Sequence, residues 1–124
     1  MKLSNFELEV MQLFWKYPES SAPVIHQFIK PERHVSYSTV KTIIDRLEKK
    51  GALKRIRNQG RTILYNTCIE KSQLRKPMIK DFIKRVFLGN SKPLLAHIIE
   101  EEELSLEDIS YLESLLKKRK KELK

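Results

Sequence analysis

The side chains able to do chemistry are concentrated between residues 33 and 61, where nine Lys and Arg face two acids, Asp45 and Glu48. Within that stretch Val40, Ile43, Ile44 and Leu47 fall at the i, i+3, i+4, i+7 spacing of a helix with one apolar side. Turning the stripe inward, at roughly 100° per residue, leaves Ser38, Thr42, Asp45 and Lys49 outward, with Lys41 and Arg46 on the shoulders. Short hydroxyls suit hydrogen bonds to base edges, and long cations suit phosphates. A solvated face is the plain alternative for such a helix taken alone. Just downstream, Arg55, Arg57 and Arg61 surround a tight turn, which does not need arginine to fold. Together the two pieces point to double-stranded DNA. Asp45 can accept from a cytosine amino group, but pairing with Lys41 or Lys49 at i±4 is the better reading, and it stays outside the binding set.

Other chemistries find no support. His26, His34 and His97 lack metal-ligand spacing, and Cys68 has no ligand neighbour, so no metal and no cofactor are expected. Cys68, at a strand end, is expected to be a small buried hydrophobe rather than a redox sensor. The acidic run at residues 100–103 lacks the alternating acid–Gly pattern of a calcium loop. No Gly-rich phosphate loop and no nucleophile elbow occur, so an enzyme is not expected.

The surrounding elements follow from periodicity and caps. Ser4 with Glu7 opens a helix that runs to about Tyr17, before Pro18. It carries two apolar stripes, Leu3–Phe6–Val10–Leu13–Phe14–Tyr17 and Leu8–Met11–Trp15, and should be packed on two sides. A second helix starts after "SSAP", with Pro23 early and Ile25, Phe28 and Ile29 inward. Ser36 or Ser38 caps the third helix, and Gly51 stops it. The runs "ALKRI" and "TILYNTC" read as strands, with Asn58 and Gly60 as turn residues between them. Helix–helix–helix–hairpin is the order of a winged helix-turn-helix. The fold class expected is therefore mostly α with a small β-hairpin, a winged domain at 1–70 followed by a helical region at 71–124.

Composition agrees. At 124 residues and a formal net charge of +9, the chain suits one small domain with an appendage and an anionic partner. A single cysteine excludes an intrachain disulfide. The acids inside the first apolar run fit neither a signal peptide nor a membrane span, so a cytoplasmic protein with no membrane partner is expected.

The segments "LSNFELEVMQLFW", "SYSTVKTIIDRLEKKGAL" and "LGN…LLAHIIEEEELS" resemble the penicillinase repressor family, which includes β-lactamase, methicillin-resistance and copper-transport operon repressors. The resemblance implies a homodimeric transcriptional repressor on a short palindromic operator. It puts the recognition helix at 36–50, with contacts on Tyr37, Ser38, Thr39, Lys41, Thr42 and Arg46, the wing at Arg55 to Arg61, and dimerisation helices at 71–122. It also implies, for β-lactam-responsive members, a regulatory protease that cuts an Asn-Phe bond ahead of the acidic stretch. Here that position is His97-Ile98. The terminal cysteine cluster of copper-responsive members is replaced by "KKRKKELK". Pro77 falls within the first dimerisation helix, which must either start there or kink.

Two copies are also expected from the residues themselves. Ile79, Phe82, Ile83 and Val86 form one stripe, and Ile109, Leu112 and Leu116 another, on a last helix capped by Ser105 and Asp108. A different kind of protein, a winged helix docking an acidic protein partner through its basic face, is the rival reading.

Overall fold

The structure, a computed structural model, describes all 124 residues. It divides into two compact units, residues 1–78 and 79–124.

In the first unit, helix α1 (Asn5–Lys16) begins with a reciprocal cap. The Ser4 hydroxyl accepts from the Glu7 N–H at 3.1 Å, and the Glu7 carboxylate accepts from the Ser4 N–H at 2.8 Å. Its Val10, Met11 and Phe14 are buried, and it packs against α2, α3 and β3, as two apolar stripes require. Trp15 sits partly buried and donates its indole N–H to the Ile69 carbonyl at 3.1 Å.

A two-residue strand, β1 (Ser20–Ser21), precedes helix α2 (Ala22–Ile29). No sequence pattern announces so short a strand. It pairs antiparallel with β3, so the hairpin becomes a three-stranded sheet of order β1-β3-β2. Within α2, Ile25 and Ile29 are buried as expected, but Phe28 is not. It lies flat on Tyr17, with ring centroids 4.2 Å apart, on the outside of the domain. The expected inward placement of Phe28 is corrected accordingly.

Helix α3 (Tyr37–Lys49) is capped by Ser36, not Ser38, and its stripe of Val40, Ile43, Ile44 and Leu47 is wholly or nearly wholly buried. Each such aliphatic side chain contributes about 1.5–3 kcal/mol on leaving water, which fixes the helix's rotation. The chain leaves α3 through Gly51 at φ +84, a conformation open to glycine at little cost.

Strands β2 (Leu53–Gln59) and β3 (Thr62–Thr67) form the hairpin. Gln59 pairs with Thr62, so the turn is Gly60-Arg61, and Asn58 is a strand residue opposite Ile63. Gly60 has φ +66 while Arg61 has negative φ, the sign pattern of a type II′ turn. The register shifts between Arg55 and Arg57, leaving Ile56 as the extra residue of a bulge. Cys68 then donates its N–H to the Ala52 carbonyl at 2.9 Å, but its side chain is exposed. The expected burial of Cys68 is thus overturned, because β3 ends at Thr67 and the Cys68 side chain turns to solvent while Ile69 packs against the core.

Helix α4 (Lys71–Phe87) runs through Pro77 rather than starting there. Its first turn is held by the Gln73 side chain, which accepts from the Glu70 N–H at 2.7 Å. Leu74 is its only buried residue.

The second unit contains the end of α4, helix α5 (Lys92–Glu101) and helix α6 (Leu106–Glu122). Ser105 and Asp108 cap α6 reciprocally at 3.0 Å each way. No residue between 79 and 124 is buried.

Candidate nucleic-acid interface

Burying one side of α3 presents Tyr37, Ser38, Thr39, Thr42, Asp45, Arg46 and Lys49 to solvent, with Lys41 half-buried at the edge. The N-terminal part is a cluster of hydroxyls. Ser36 Oγ accepts from the Thr39 N–H at 3.2 Å and lies 3.0 Å and 2.9 Å from the hydroxyls of Ser38 and Thr39. Thr42 donates to the Ser38 carbonyl at 2.9 Å, which leaves its oxygen free to accept. Tyr37 is steadied by its neighbour His26, whose ring stands edge-on at 6.1 Å. His26 Nε2 lies 2.9 Å from the Val35 carbonyl, which can only accept, so that nitrogen carries the proton.

The bulge decides where the wing arginines go. Arg55 lies opposite Tyr65 and Arg57 opposite Leu64, and adjacent strand residues face opposite ways. The two arginines therefore lie on different sides of the sheet. Arg55 donates to Glu48 of α3 at 2.9 Å, and Arg57 pairs with Glu19. Arg61, at the turn, has no acidic partner, and neither do Arg46 and Lys49. Lys41 pairs with Asp45, the i±4 partnership foreseen for that aspartate. Asp45 first, and the nearby Tyr65 hydroxyl after it, outweigh partial burial and hold the Lys41 ammonium above its ordinary pKa.

One constellation outside the expected set holds α3 in place. Glu7 is 4% exposed, and both its carboxylate oxygens lie 2.8 Å from the Lys50 ammonium at the end of α3. Lys50 also donates to the Lys2 carbonyl at 2.9 Å. Burial opposes the charge on Glu7, but the bonds from Lys50 and from Ser4 outweigh it and keep the carboxyl below its ordinary value of 4.5. The start of α1 is thereby tied to the end of α3.

Neither the pairing of Glu7 with Lys50 nor the part played by Glu19 was expected from the sequence. Glu7 was visible only as a cap, and nothing in the spacing links it to a lysine 43 positions away. Glu19 carries a faint signal. It sits at φ +59, unusual for a residue with a side chain, in a short link between two elements.

In the second unit, Ile79, Phe82, Val86, Ile109 and Leu116 are exposed, and Ile83 and Leu112 partly so. A cleft of about 410 Å³ between α5 and α6 is lined by the apolar side chains of Ile99, Leu104, Ile109, Leu112 and Leu116 together with Glu102 and Glu113. His97 and Ile98 lie in the middle of α5, with His97 Nε2 at 3.4 Å from Glu102. No group of three or more His, Cys, Asp and Glu side chains is placed to hold a metal ion. No helix is long and apolar enough to cross a membrane.

The sequence model of the family described as penicillinase repressor matches residues 3–118. The chain is 32% identical over 118 residues to the methicillin resistance regulatory protein MecI of Mammaliicoccus sciuri, covering 95% of each. It is 31% identical over 124 residues to the penicillinase repressor of Bacillus licheniformis, covering 98% of this chain and 96% of that protein. Among solved structures, the monomeric form of Bacillus licheniformis BlaI in complex with the blaP half-operator aligns with a TM-score of 0.50 at 32% identity. That alignment covers 58% of this chain and 87% of that one.

Proposed function

The chain belongs to the penicillinase repressor family, and we propose that it holds a palindromic operator as a homodimer. It is a winged-helix, DNA-binding transcriptional repressor. In this reading α3 enters the major groove, the hydroxyls of Ser38, Thr39 and Thr42 meet base edges, and Tyr37, Lys41 and Arg46 reach the backbone. Arg55, Arg57 and Arg61 of the wing lie along the backbone or the adjacent minor groove.

The observation that carries the reading is that the polar side of α3 and the wing arginines are exposed, with Arg55 bonded to Glu48 of α3 and Arg61 sharing a cleft with Tyr37 and Lys41. One such surface makes few phosphate contacts, and tight site-specific binding needs more. The apolar faces of residues 79–124 supply the second copy. Ile79, Phe82, Ile83, Val86, Ile109, Leu112 and Leu116 form the dimer contact, and two recognition helices then fall about 34 Å apart, or a multiple of that. Release by a regulatory protease at His97-Ile98 would require local unwinding of α5.

The test is a gel-shift titration of a mixed duplex pool at several salt concentrations. Binding that weakens steeply with salt supports the reading. A protein that ignores duplex DNA but captures acidic proteins contradicts it.

A further inference from the structure

We propose that the cleft between the start of α2, α3 and the turn end of β3 seats a phosphoryl group of the duplex backbone, with the buried hydroxyl of Tyr65 as a donor to it. The proposal rests on the DNA-binding reading above and adds a residue and a contact to it.

The cleft, about 170 Å³, is lined chiefly by Pro23, Tyr37, Lys41, Arg61, Thr62 and Tyr65, and no carboxylate lines it. Two of these side chains are cationic and three carry hydroxyls. Tyr65 is wholly buried, its ring standing edge-on to Phe14 at 6.3 Å. Its hydroxyl makes no hydrogen bond of good geometry, and the nearby Lys41 ammonium can only donate to it, so its own proton has no acceptor. Native interiors pair nearly all such groups, so an unpaired one asks for a partner that arrives later. The Lys41 ammonium lies 5.8 Å from the Tyr65 ring centroid, within reach of the hydroxyl but outside hydrogen-bonding geometry.

The chemistry of the missing partner follows. A hydroxyl with a free proton needs an acceptor, and Arg61, which has no acidic partner, needs an anion, while Lys41 is neutralised by Asp45 until it moves. The cleft admits only something compact. A phosphoryl oxygen meets all three conditions, whereas a water molecule would satisfy the hydroxyl and leave Arg61 without a counter-charge. The first turn of α2 adds little beyond its dipole, because Pro23 has no N–H and that of Val24 is taken by Ser21. On binding, Lys41 swings from Asp45 toward the phosphate and uncovers the Tyr65 hydroxyl. The flexible lysine stem permits this, and its side chain is already 30% exposed.

Tyr65→Phe isolates the hydroxyl while keeping the ring that the core needs. The expected result is an unchanged or raised melting temperature together with an affinity for duplex DNA weakened on the order of tenfold, the loss of one hydrogen bond to a charged acceptor. The salt slope should not change, since no charge is removed, whereas Arg61→Gln should lower it by about one. Replacing single backbone phosphates by methylphosphonate should abolish the Tyr65→Phe penalty at one position per recognition helix.

A Tyr65→Phe protein that binds duplex as tightly as the wild type overturns the proposal while leaving the repressor reading intact. A fall in stability matching the fall in affinity also overturns it, since the hydroxyl would then be paired within the fold. Inorganic phosphate that stabilises the wild type but not Tyr65→Phe, with duplex affinity equal in the two, overturns the assignment to the backbone. Wild-type protein that fails to bind any duplex at low salt overturns the repressor reading itself, and this contact with it.

Discussion

Lys41, Arg55 and Arg57 each begin in an ion pair open to solvent on at least one side, with Asp45, Glu48 and Glu19 respectively, and Arg61 begins in none. Exposed pairs contribute about 0–1 kcal/mol, so a phosphate can take over any of these cations at small cost. Arg61 has nothing to give up, which makes it the cleanest residue for separating affinity from selectivity. Arg61→Glu should weaken binding to matched and scrambled duplexes alike and flatten the salt dependence. Thr42→Ala should change sequence preference more than overall affinity. Titrations of both variants on both duplexes at several salt concentrations check the contrast, and equal loss of preference in the two would contradict it. Glu7 belongs to stability rather than to binding. Its carboxyl is held below the ordinary 4.5, so its contribution is fully present above that pH and is lost as pH falls through the lower folded value. Glu7→Gln should therefore cost about 1–2 kcal/mol at neutral pH, a modest figure because Lys50 keeps some access to water. Urea titrations at pH 7 and pH 3 should show the gap between wild type and variant closing at the acid end.

At the level of elements, what the chain announced and what it hid divide along a physical line. The helices were legible because each carries a local signal: a cap at Ser4, Ser36 or Ser105, and apolar residues at helical spacing behind it. The outward face of α3 was legible for the same reason, since burying Val40 and Leu47 leaves no freedom in what points away. Strand β1 was not, because two residues carry no periodicity and exist as a strand only through Tyr65 and Leu64. The bulge at Ile56 was equally hidden, although it decides that Arg55 faces α3 while Arg57 reaches Glu19. Phe28 misled because its spacing from Ile25 suits a core, yet Tyr17 offers it a flat partner outside. The wing itself depends on Gly60. A side chain at φ +66 is strained wherever there is room for it, and open space surrounds that position. Gly60→Ala should cost about 1 kcal/mol, seen as a lower denaturation midpoint, with a parallel loss of duplex affinity. An unchanged midpoint would mean that the turn tolerates an ordinary residue.

Across the whole molecule, the two units differ in how they use apolar residues. The first encloses a continuous core running from Val10 through Ile44 to Tyr65. The second encloses none, and leaves Leu116 62% and Val86 58% exposed. The apolar stripes were legible in the sequence, but whether they cover each other or a second copy was not, because periodicity records which side is apolar and never what lies against it. Leu116→Asp should give a folded monomer with much weaker operator binding, and sedimentation velocity showing an intact dimer would contradict this. Recognition of duplex DNA in symmetric pairs by the polar face of α3 and its arginine wing can be read out by selecting bound sequences from random DNA. The expected result is an enriched inverted repeat whose half-sites lie one helical turn, or a multiple of it, apart. Recovery of sequences no different from the starting pool would contradict it.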